Sequence, residues 1–154
     1  MDPIDRSEAL QVLKTAPVAH IGVIDGDRPY VTPMSFVLSG ERILFRTMGG
    51  RKLDAIRANP RVCIEVSDLD PSTGDWVSVI AYGDAAEVTD DDLKTLTVSL
   101  LFDKYDQMIG SPFGRNGGLR AVSGFPHVIE VPIDEVTGMC SGRGFSARTR
   151  PGRL

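Results

Sequence analysis

Two adjacent cations, Arg51 and Lys52, follow a pair of glycines and open a short helical pattern. Leu53 and Ile56 fall on one face of that pattern, which predicts a helix over residues 51–58. A helix dipole is positive at its N-terminus, so two cations at that end are locally unfavourable. A bound anion would remove the conflict, because a helix start offers free N–H groups and glycine lets the backbone approach closely. The spacing therefore predicts an anion site.

Phosphate suits this set of residues. Arginine presents a planar fork of donors to phosphate oxygens, and lysine presents a point charge. Arg46 and Thr47, at the end of the preceding strand pattern, could add a charge and a hydroxyl. The stretch is not a P-loop, because the spacing GxxxxGK[ST] is absent. A solvated pair of surface cations is the alternative interpretation, since the penalty at the helix end is then only about 0.3–1 kcal/mol.

Strand patterns surround this helix on both sides. Tight turns at 25–28 and 39–42 connect the first three strands into an antiparallel meander. Pro33 predicts an edge position or a bulge in the second strand, and Gly83 predicts a bend in the fifth. The predicted strands are 18–24, 29–38, 43–47, 61–67, 76–88 and 127–133.

Two further helices are predicted from their start signals. Asp5 and Glu8 form a capping-box pattern that predicts a helix over 6–15, within an N-terminal segment 1–15. Thr89, followed by three acidic residues, predicts a helix over 89–102. The remaining segments are predicted to be a glycine-rich loop at 104–126, with the role of a lid, a closing turn at 134–138 and a flexible tail at 141–154.

Six short strands with a few helices outside them predict a mainly β protein. The 154 residues suffice for one domain with its own core, so the whole chain 1–154 is taken as one domain. A small antiparallel β-barrel with peripheral helices fits this order of elements. An open sheet covered by helices fits the same pattern and remains the alternative at this point.

Composition and charge exclude several classes of protein. The net charge of -4 argues against a general nucleic-acid binder, which would carry a basic excess. No apolar run is long enough to span a bilayer, and the acidic start lacks the layout of a signal peptide. Cys63 and Cys140 stand far apart without a CxxC spacing, which predicts no disulfide framework and a cytoplasmic location. His20 and His127 form no ligand cluster, so no metal site is expected.

The stretch ILFRTMGGRKLDAIRANPRVCIEV, residues 43–66, resembles the FMN-binding split-barrel proteins related to pyridoxamine 5'-phosphate oxidase. The upstream APVAHIGVIDGDRPYVTPMSF and the downstream SVIAYGDAAEV fit the same family pattern, as does VIEVPIDEVTG. Within the family, the chain looks most like the nitroimidazole-resistance branch, through GRKLDAIRANPRVCIEV. The resemblance implies a split β-barrel and a homodimer with two FMN sites at its interface.

The resemblance also implies roles for individual residues, although it assigns no catalytic residue. Arg51 and Lys52 would hold the FMN phosphate, and Gly50 would offer its amide beside them. The other implied cofactor-binding residues are Arg46 and Thr47 beside the phosphate and ribityl chain, Thr32, Pro33, Met34 and Ser35 along the isoalloxazine edge, and Ser78 near the ring.

The implied function is that of an FMN-dependent oxidoreductase. A small-molecule donor would reduce the flavin, and a small acceptor such as a nitroaromatic would reoxidise it. Pyridoxamine-phosphate oxidase activity itself is not expected, because the C-terminal GRGFSARTRPGRL lacks the histidine of the family's substrate element. A flavin-binding storage or sensing module without turnover is the main alternative, and the same barrel using deazaflavin or haem is another.

Overall fold

The structure is a computed structural model, and it describes residues 1–109 and 126–141. Within these ranges the chain forms ten strands and three helices. The strands are β1 (Asp2–Pro3), β2 (Ala19–Asp25), β3 (Arg28–Met34), β4 (Phe36–Ser39), β5 (Arg42–Thr47), β6 (Arg61–Leu69), β7 (Trp76–Asp84), β8 (Ala86–Glu87), β9 (His127–Pro132) and β10 (Glu135–Cys140). The helices are α1 (Arg6–Thr15), α2 (Arg51–Ala58) and α3 (Asp91–Ile109).

All strand pairs are antiparallel, and they form two sheets. The larger sheet has six strands in the order β1-β10-β7-β6-β2-β3, and the smaller has four in the order β4-β5-β9-β8. Phe36, Ile43 and Phe45 of the smaller sheet join Ile21 and Ile64 of the larger in one buried core. The fold is therefore mainly β and is a split β-barrel with peripheral helices, as predicted.

The chain crosses between the sheets at two places where one continuous strand was predicted. The segment 29–38 divides at Ser35 into β3 and β4, and the segment 76–88 divides at Ala85 into β7 and β8. The predicted three-stranded meander is therefore wrong, because its second strand contributes to both sheets. Pro33 lies on β3, at the edge of the larger sheet, so its missing N–H removes no hydrogen bond from a central ladder.

Gly83 lies where the two sheets approach each other. A Cβ atom at this position would stand 2.2 Å from the carbonyl oxygen of Pro132 and 2.9 Å from Val131 Cγ1. Only glycine leaves room for the backbone of β9 here. The chain then changes sheet at Ala85, whose N–H donates to the Pro60 carbonyl at 2.8 Å.

Helix α1 begins and ends where the sequence predicts. Asp5 accepts a hydrogen bond from the Glu8 N–H at 2.8 Å, and Glu8 accepts one from the Asp5 N–H at 3.1 Å, which completes the capping box. Ala9, Val12 and Leu13 are buried and place the helix on the core.

Two predicted segments differ from the structure. Residues 135–138 of the predicted turn 134–138 belong to β10, which pairs with β7 along its whole length. Gly138, which the sequence predicts to lie in the turn, is buried in this strand, and Ile4 packs where a side chain at this position would be. The third helix is capped by Asp90 rather than Thr89, since Asp90 Oδ1 accepts from the Leu93 N–H at 2.7 Å.

Helix α3 also extends to Ile109, so residues 104–109, predicted to be loop, are helical. The rest of the predicted loop and the predicted tail lie outside the described residues, apart from Pro126 and Ser141.

Substitution of Gly83 by alanine should lower the free energy of unfolding by about 1–3 kcal/mol, because the added methyl group meets the backbone of Pro132. Gly49→Ala is the matched control, since a Cβ atom there meets no atom within 4 Å. Urea denaturation of both variants measures the effect. Equal stability of the two variants would contradict the close approach of the sheets at Gly83.

Candidate functional site

The start of α2 is shaped by a glycine that no other residue could replace without strain. Gly50 is the N-cap residue with φ 121° and ψ -167°, a conformation that favours glycine. It offers no side chain to cap the helix, and its carbonyl accepts the Asp54 N–H at 3.0 Å. The N–H groups of the first turn are therefore left for another acceptor.

Arg51 is oriented by two residues that sequence reasoning did not identify. Its Nε donates to Asp25 Oδ2 at 2.5 Å, and its guanidinium carbon lies 4.4 Å from the centre of the Tyr30 ring. Asp25 ends β2 at the tight turn into β3, and α2 packs against β2, so the pair is brought together by the sheet. The Arg51 side chain remains 56% exposed. One of its donors is thus occupied, while the guanidinium still faces solvent.

Lys52 differs from Arg51 in its surroundings. Its ammonium lies 5.4 Å from the centre of the Phe45 ring, and burial lowers the pKa of the amine. Within the described ranges, no carboxylate forms an ion pair with it. The cation of Lys52 is therefore partly desolvated without a compensating negative charge, which is unfavourable until an anion is supplied.

Arg46 and Thr47 end β5 beside the start of α2, but on opposite faces of the strand. Thr47 is only 4% exposed and shares the face of Phe45, while its hydroxyl donates to the Met48 carbonyl at 3.1 Å. Arg46 is half-buried on the other face, where burial lowers the pKa of its guanidinium. The structure thus brings Thr47 to the same side as Lys52, and it points Arg46 away from that side.

The four residues Thr32 to Ser35 also divide between two faces. Thr32 and Met34 pair with Ile21 and Ala19, and both point towards the core side of the larger sheet. Pro33 pairs with His20 and is exposed on the outer face. The remaining residue, Ser35, is exposed at the crossover between the sheets.

Ser78 lies in a polar cluster on the outer face of the larger sheet. Its hydroxyl donates to Glu65 Oε1 at 3.2 Å, and Glu65 Oε2 lies 3.3 Å from His20 Nδ1. The side chain alternates with buried Val77 and Val79, so it points away from the core. Within one chain, Ser78 is therefore not directed to the interior side where Thr47 and Lys52 meet. Glu65 was missed because no local pattern links positions 20, 65 and 78.

A second ionic cluster fixes the other end of α2. Arg57 donates to both carboxylate oxygens of Glu87, with Nη2 distances of 3.2 and 2.9 Å, and His127 Nδ1 lies 2.6 Å from Glu87 Oε1. The hydrogen bond from His127 and then that from Arg57 lower the pKa of the Glu87 carboxyl. Among the described residues, no group of three or more His, Cys, Asp or Glu side chains is placed to hold a metal ion.

The fold and the α2 site together define a split-barrel protein of the kind that the sequence resembles. A family profile described as pyridoxamine 5'-phosphate oxidase matches residues 5–139. The chain therefore belongs to the pyridoxamine 5'-phosphate oxidase family.

A curated relative shares part of this sequence. The uncharacterized protein RA0666 of Rhizobium meliloti (strain 1021) is 30% identical over 80 residues, which is 52% of this chain and 52% of the relative. The chain thus matches about half the length of that relative.

Solved structures share the fold over most of the chain. An FAD-binding protein from Mesorhizobium loti has a TM-score of 0.71 at 23% identity, covering 92% of this chain and 98% of that one. A Bacteroides thetaiotaomicron VPI-5482 protein with a proposed role in 5-nitroimidazole antibiotic resistance has a TM-score of 0.69 at 22% identity, covering 89% and 85%. An FAD- and haem-binding protein from Mycobacterium smegmatis has a TM-score of 0.68 at 16% identity, covering 92% and 74%.

None of the helices in residues 1–109 and 126–141 is long and apolar enough to cross a lipid bilayer.

Proposed function

We propose that this protein binds FMN and acts as an oxidoreductase that reduces a small acceptor such as a nitroaromatic. The observation that carries the proposal is the start of α2, where Gly50 leaves the first N–H groups open beside Arg51 and Lys52. A phosphate monoester placed there would accept from the backbone and from both cations.

The residues present fit a phosphate. Lys52 is partly desolvated, and burial alone lowers the pKa of its amine, so a nearby anion would restore the stability of the charged form. Arg51 is held by Asp25 through Nε only, which leaves its terminal nitrogens for ligand oxygens. Gly50 has no Cβ atom in the path of an approaching ligand, and among the described residues no atom beyond its chain neighbours lies within 4 Å of the position that a Cβ would take.

The solved relatives support a bound flavin, and we propose that this flavin is FMN. The Mesorhizobium loti protein is described as FAD-binding, and the Mycobacterium smegmatis protein as FAD- and haem-binding. FMN ends in a single phosphate, which is the group that the start of α2 suits. The absorbance spectrum of the purified protein separates flavin from haem and deazaflavin, and chromatography of the released cofactor separates FMN from FAD.

The bound flavin would supply the electron or hydride transfer, while this chain's residues would hold and orient it. The nitroaromatic acceptor is supported by the Bacteroides relative, whose proposed role concerns 5-nitroimidazole resistance. The donor would be a small molecule in the cytoplasm, where the free thiols of Cys63 and Cys140 would stay reduced. A binding module without turnover is the second candidate.

We further propose that the working unit is a homodimer with flavin sites at its interface. The outer face of the larger sheet carries a row of laterally paired residues, Tyr82, Cys63, Gly22 and Val31. Val31 is 62% exposed and Tyr82 is 42% exposed. Contiguous exposed apolar surface of this kind is typical of a protein–protein contact. A second copy is the occupant we propose, because Ser78 lies on this face and could reach a flavin held by the partner's α2.

The double variant Arg51→Ala, Lys52→Ala should bind FMN at least about tenfold more weakly, because each charge-assisted phosphate contact contributes about 1.5–3 kcal/mol. Riboflavin, which lacks the phosphate, should bind both proteins equally. Fluorescence titration of each flavin measures the affinities. Urea unfolding is the control, since losing the exposed Arg51–Asp25 pair should change stability by less than about 1 kcal/mol. Unchanged FMN affinity would reject the phosphate site.

Turnover is tested separately from binding. Stopped-flow mixing of the flavin-loaded protein with NADH, NADPH or a reduced deazaflavin should bleach the flavin absorbance, and a nitroaromatic should then restore it. The oxidoreductase proposal requires at least one donor to reduce the bound flavin faster than it reduces free FMN. If no donor does so, the binding-module function replaces it.

Light scattering at micromolar concentration should give twice the chain mass of 16.7 kDa. Val31→Lys should give the monomer mass, because it places a charge in an interface expected to bury more than about 1,000 Å². Leu96→Lys is the matched control, since Leu96 is an exposed apolar residue of α3 outside this face. A monomeric wild-type protein with flavin bound would contradict the shared site.

A further inference from the structure

Two adjacent residues near the end of α3, Lys104 and Tyr105, reach the crossover between the two sheets. The Tyr105 hydroxyl accepts from the Phe36 N–H at 3.0 Å and donates to the Pro17 carbonyl at 2.8 Å. Pro17 lies between α1 and β2, 88 residues before Tyr105, and Phe36 lies 69 residues before it. One phenol hydroxyl therefore connects α3 to both of these segments. Neither residue belongs to the predicted cofactor site.

Lys104 holds the other backbone group of the same residue. Its Nζ donates to the Phe36 carbonyl at 3.0 Å and lies 3.8 Å from the centre of the Phe36 ring. Burial lowers the pKa of this amine to about 8. A partly buried cation carries a desolvation penalty, and an apolar side chain could pack α3 at this place without that penalty. The lysine is better explained by the backbone carbonyl that it holds.

The residue that both side chains hold, Phe36, directly follows the predicted flavin contacts Thr32 to Ser35 in the chain. Ser35 is the single residue between β3 and β4, and it directly precedes Phe36, whose N–H and carbonyl are held by Tyr105 and Lys104. Phe36, which follows it, is fully buried in the core. Exposed crossover residues of this kind are normally free to move, and a ligand that needs them in one conformation must then restrict them.

We propose that Tyr105 and Lys104 are positioning residues that fix the backbone at Phe36 and thereby hold the adjacent Ser35 in place for the isoalloxazine ring. The proposal rests on the flavin-binding function proposed above and adds two residues on a helix that contributes none of the predicted contacts. Because these residues act on the ring side of the cofactor, they should affect FMN and riboflavin alike. The phosphate residues Arg51 and Lys52, in contrast, should affect FMN alone.

The test compares the dissociation constants of FMN and riboflavin for the wild type and for Tyr105→Phe, which keeps the ring and removes the hydroxyl. Both constants should rise about tenfold, as expected for the loss of one to two hydrogen bonds, and their ratio should stay constant. Lys104→Met, which keeps an apolar stem and removes the donor, should give the same joint rise and serves if Tyr105→Phe does not fold.

Thr97→Ala is the control for a merely structural effect. Thr97 is buried on the same helix, and its hydroxyl donates to the Leu93 carbonyl at 2.7 Å, far along α3 from the crossover. This variant should lower the free energy of unfolding while leaving both dissociation constants unchanged. If it weakens flavin binding as much as Tyr105→Phe, the effect is one of general stability and the positioning role is overturned.

The remaining outcomes separate this proposal from the one on which it rests. Unchanged constants in Tyr105→Phe and Lys104→Met, with FMN still sensitive to Arg51→Ala, would overturn the positioning role alone. A change confined to FMN would place the effect at the phosphate and overturn it as well. A wild-type protein that binds neither flavin would overturn both proposals.

Discussion

The shared core of the two sheets depends on direct crossings of the chain between them, two of which, at Ser35 and at Ala85, interrupt an extended segment by a single residue. Each crossover requires a particular local feature. Pro33 is accommodated at the edge of the larger sheet, and Gly83 has no side chain to meet the Pro132 carbonyl. The strands that follow these crossovers, β4 and β8, pair with β5 and β9 and so form the two edges of the smaller sheet. The start of α2 follows β5 directly, so its position depends on the same geometry.

The charges around α2 are compensated unequally, and this inequality is what points to a ligand. Arg51 has Asp25 at its Nε and Tyr30 beneath its guanidinium. The other end of the helix is held by the pair Arg57 and Glu87. Lys52, lying between these two, has an aromatic ring as its neighbour and a pKa lowered by burial. Among the described residues, no carboxylate forms an ion pair with Lys52, so an anion bound at this end of the helix would favour the charged form of its amine.

Local sequence patterns predicted the elements that depend on short-range chemistry. The capping box of Asp5 and Glu8 set the start of α1, and strand periodicity located most of both sheets. The residues around the site and the crossover that sequence reasoning missed have partners elsewhere along the chain. Asp25 meets Arg51 over 26 positions, and Tyr105 meets Phe36 over 69. Pairing of β10 with β7 was likewise missed, because a turn-like composition around Gly138 conceals a strand whose glycine makes room for Ile4.

The outer face of the larger sheet combines exposed apolar residues with polar groups that are already satisfied within the chain. Glu65 accepts a hydrogen bond from Ser78 and lies within hydrogen-bonding distance of His20. A partner that covers these side chains would therefore not have to supply new hydrogen bonds in place of these contacts. Burial of an unpaired polar group would oppose association, whereas burial of a paired one opposes it much less. Val31 and Tyr82, in the neighbouring row, supply apolar area that association would remove from water. The polar cluster around Ser78 is therefore compatible with an interface, and it would place a hydroxyl there with its orientation fixed before a partner or a flavin arrives.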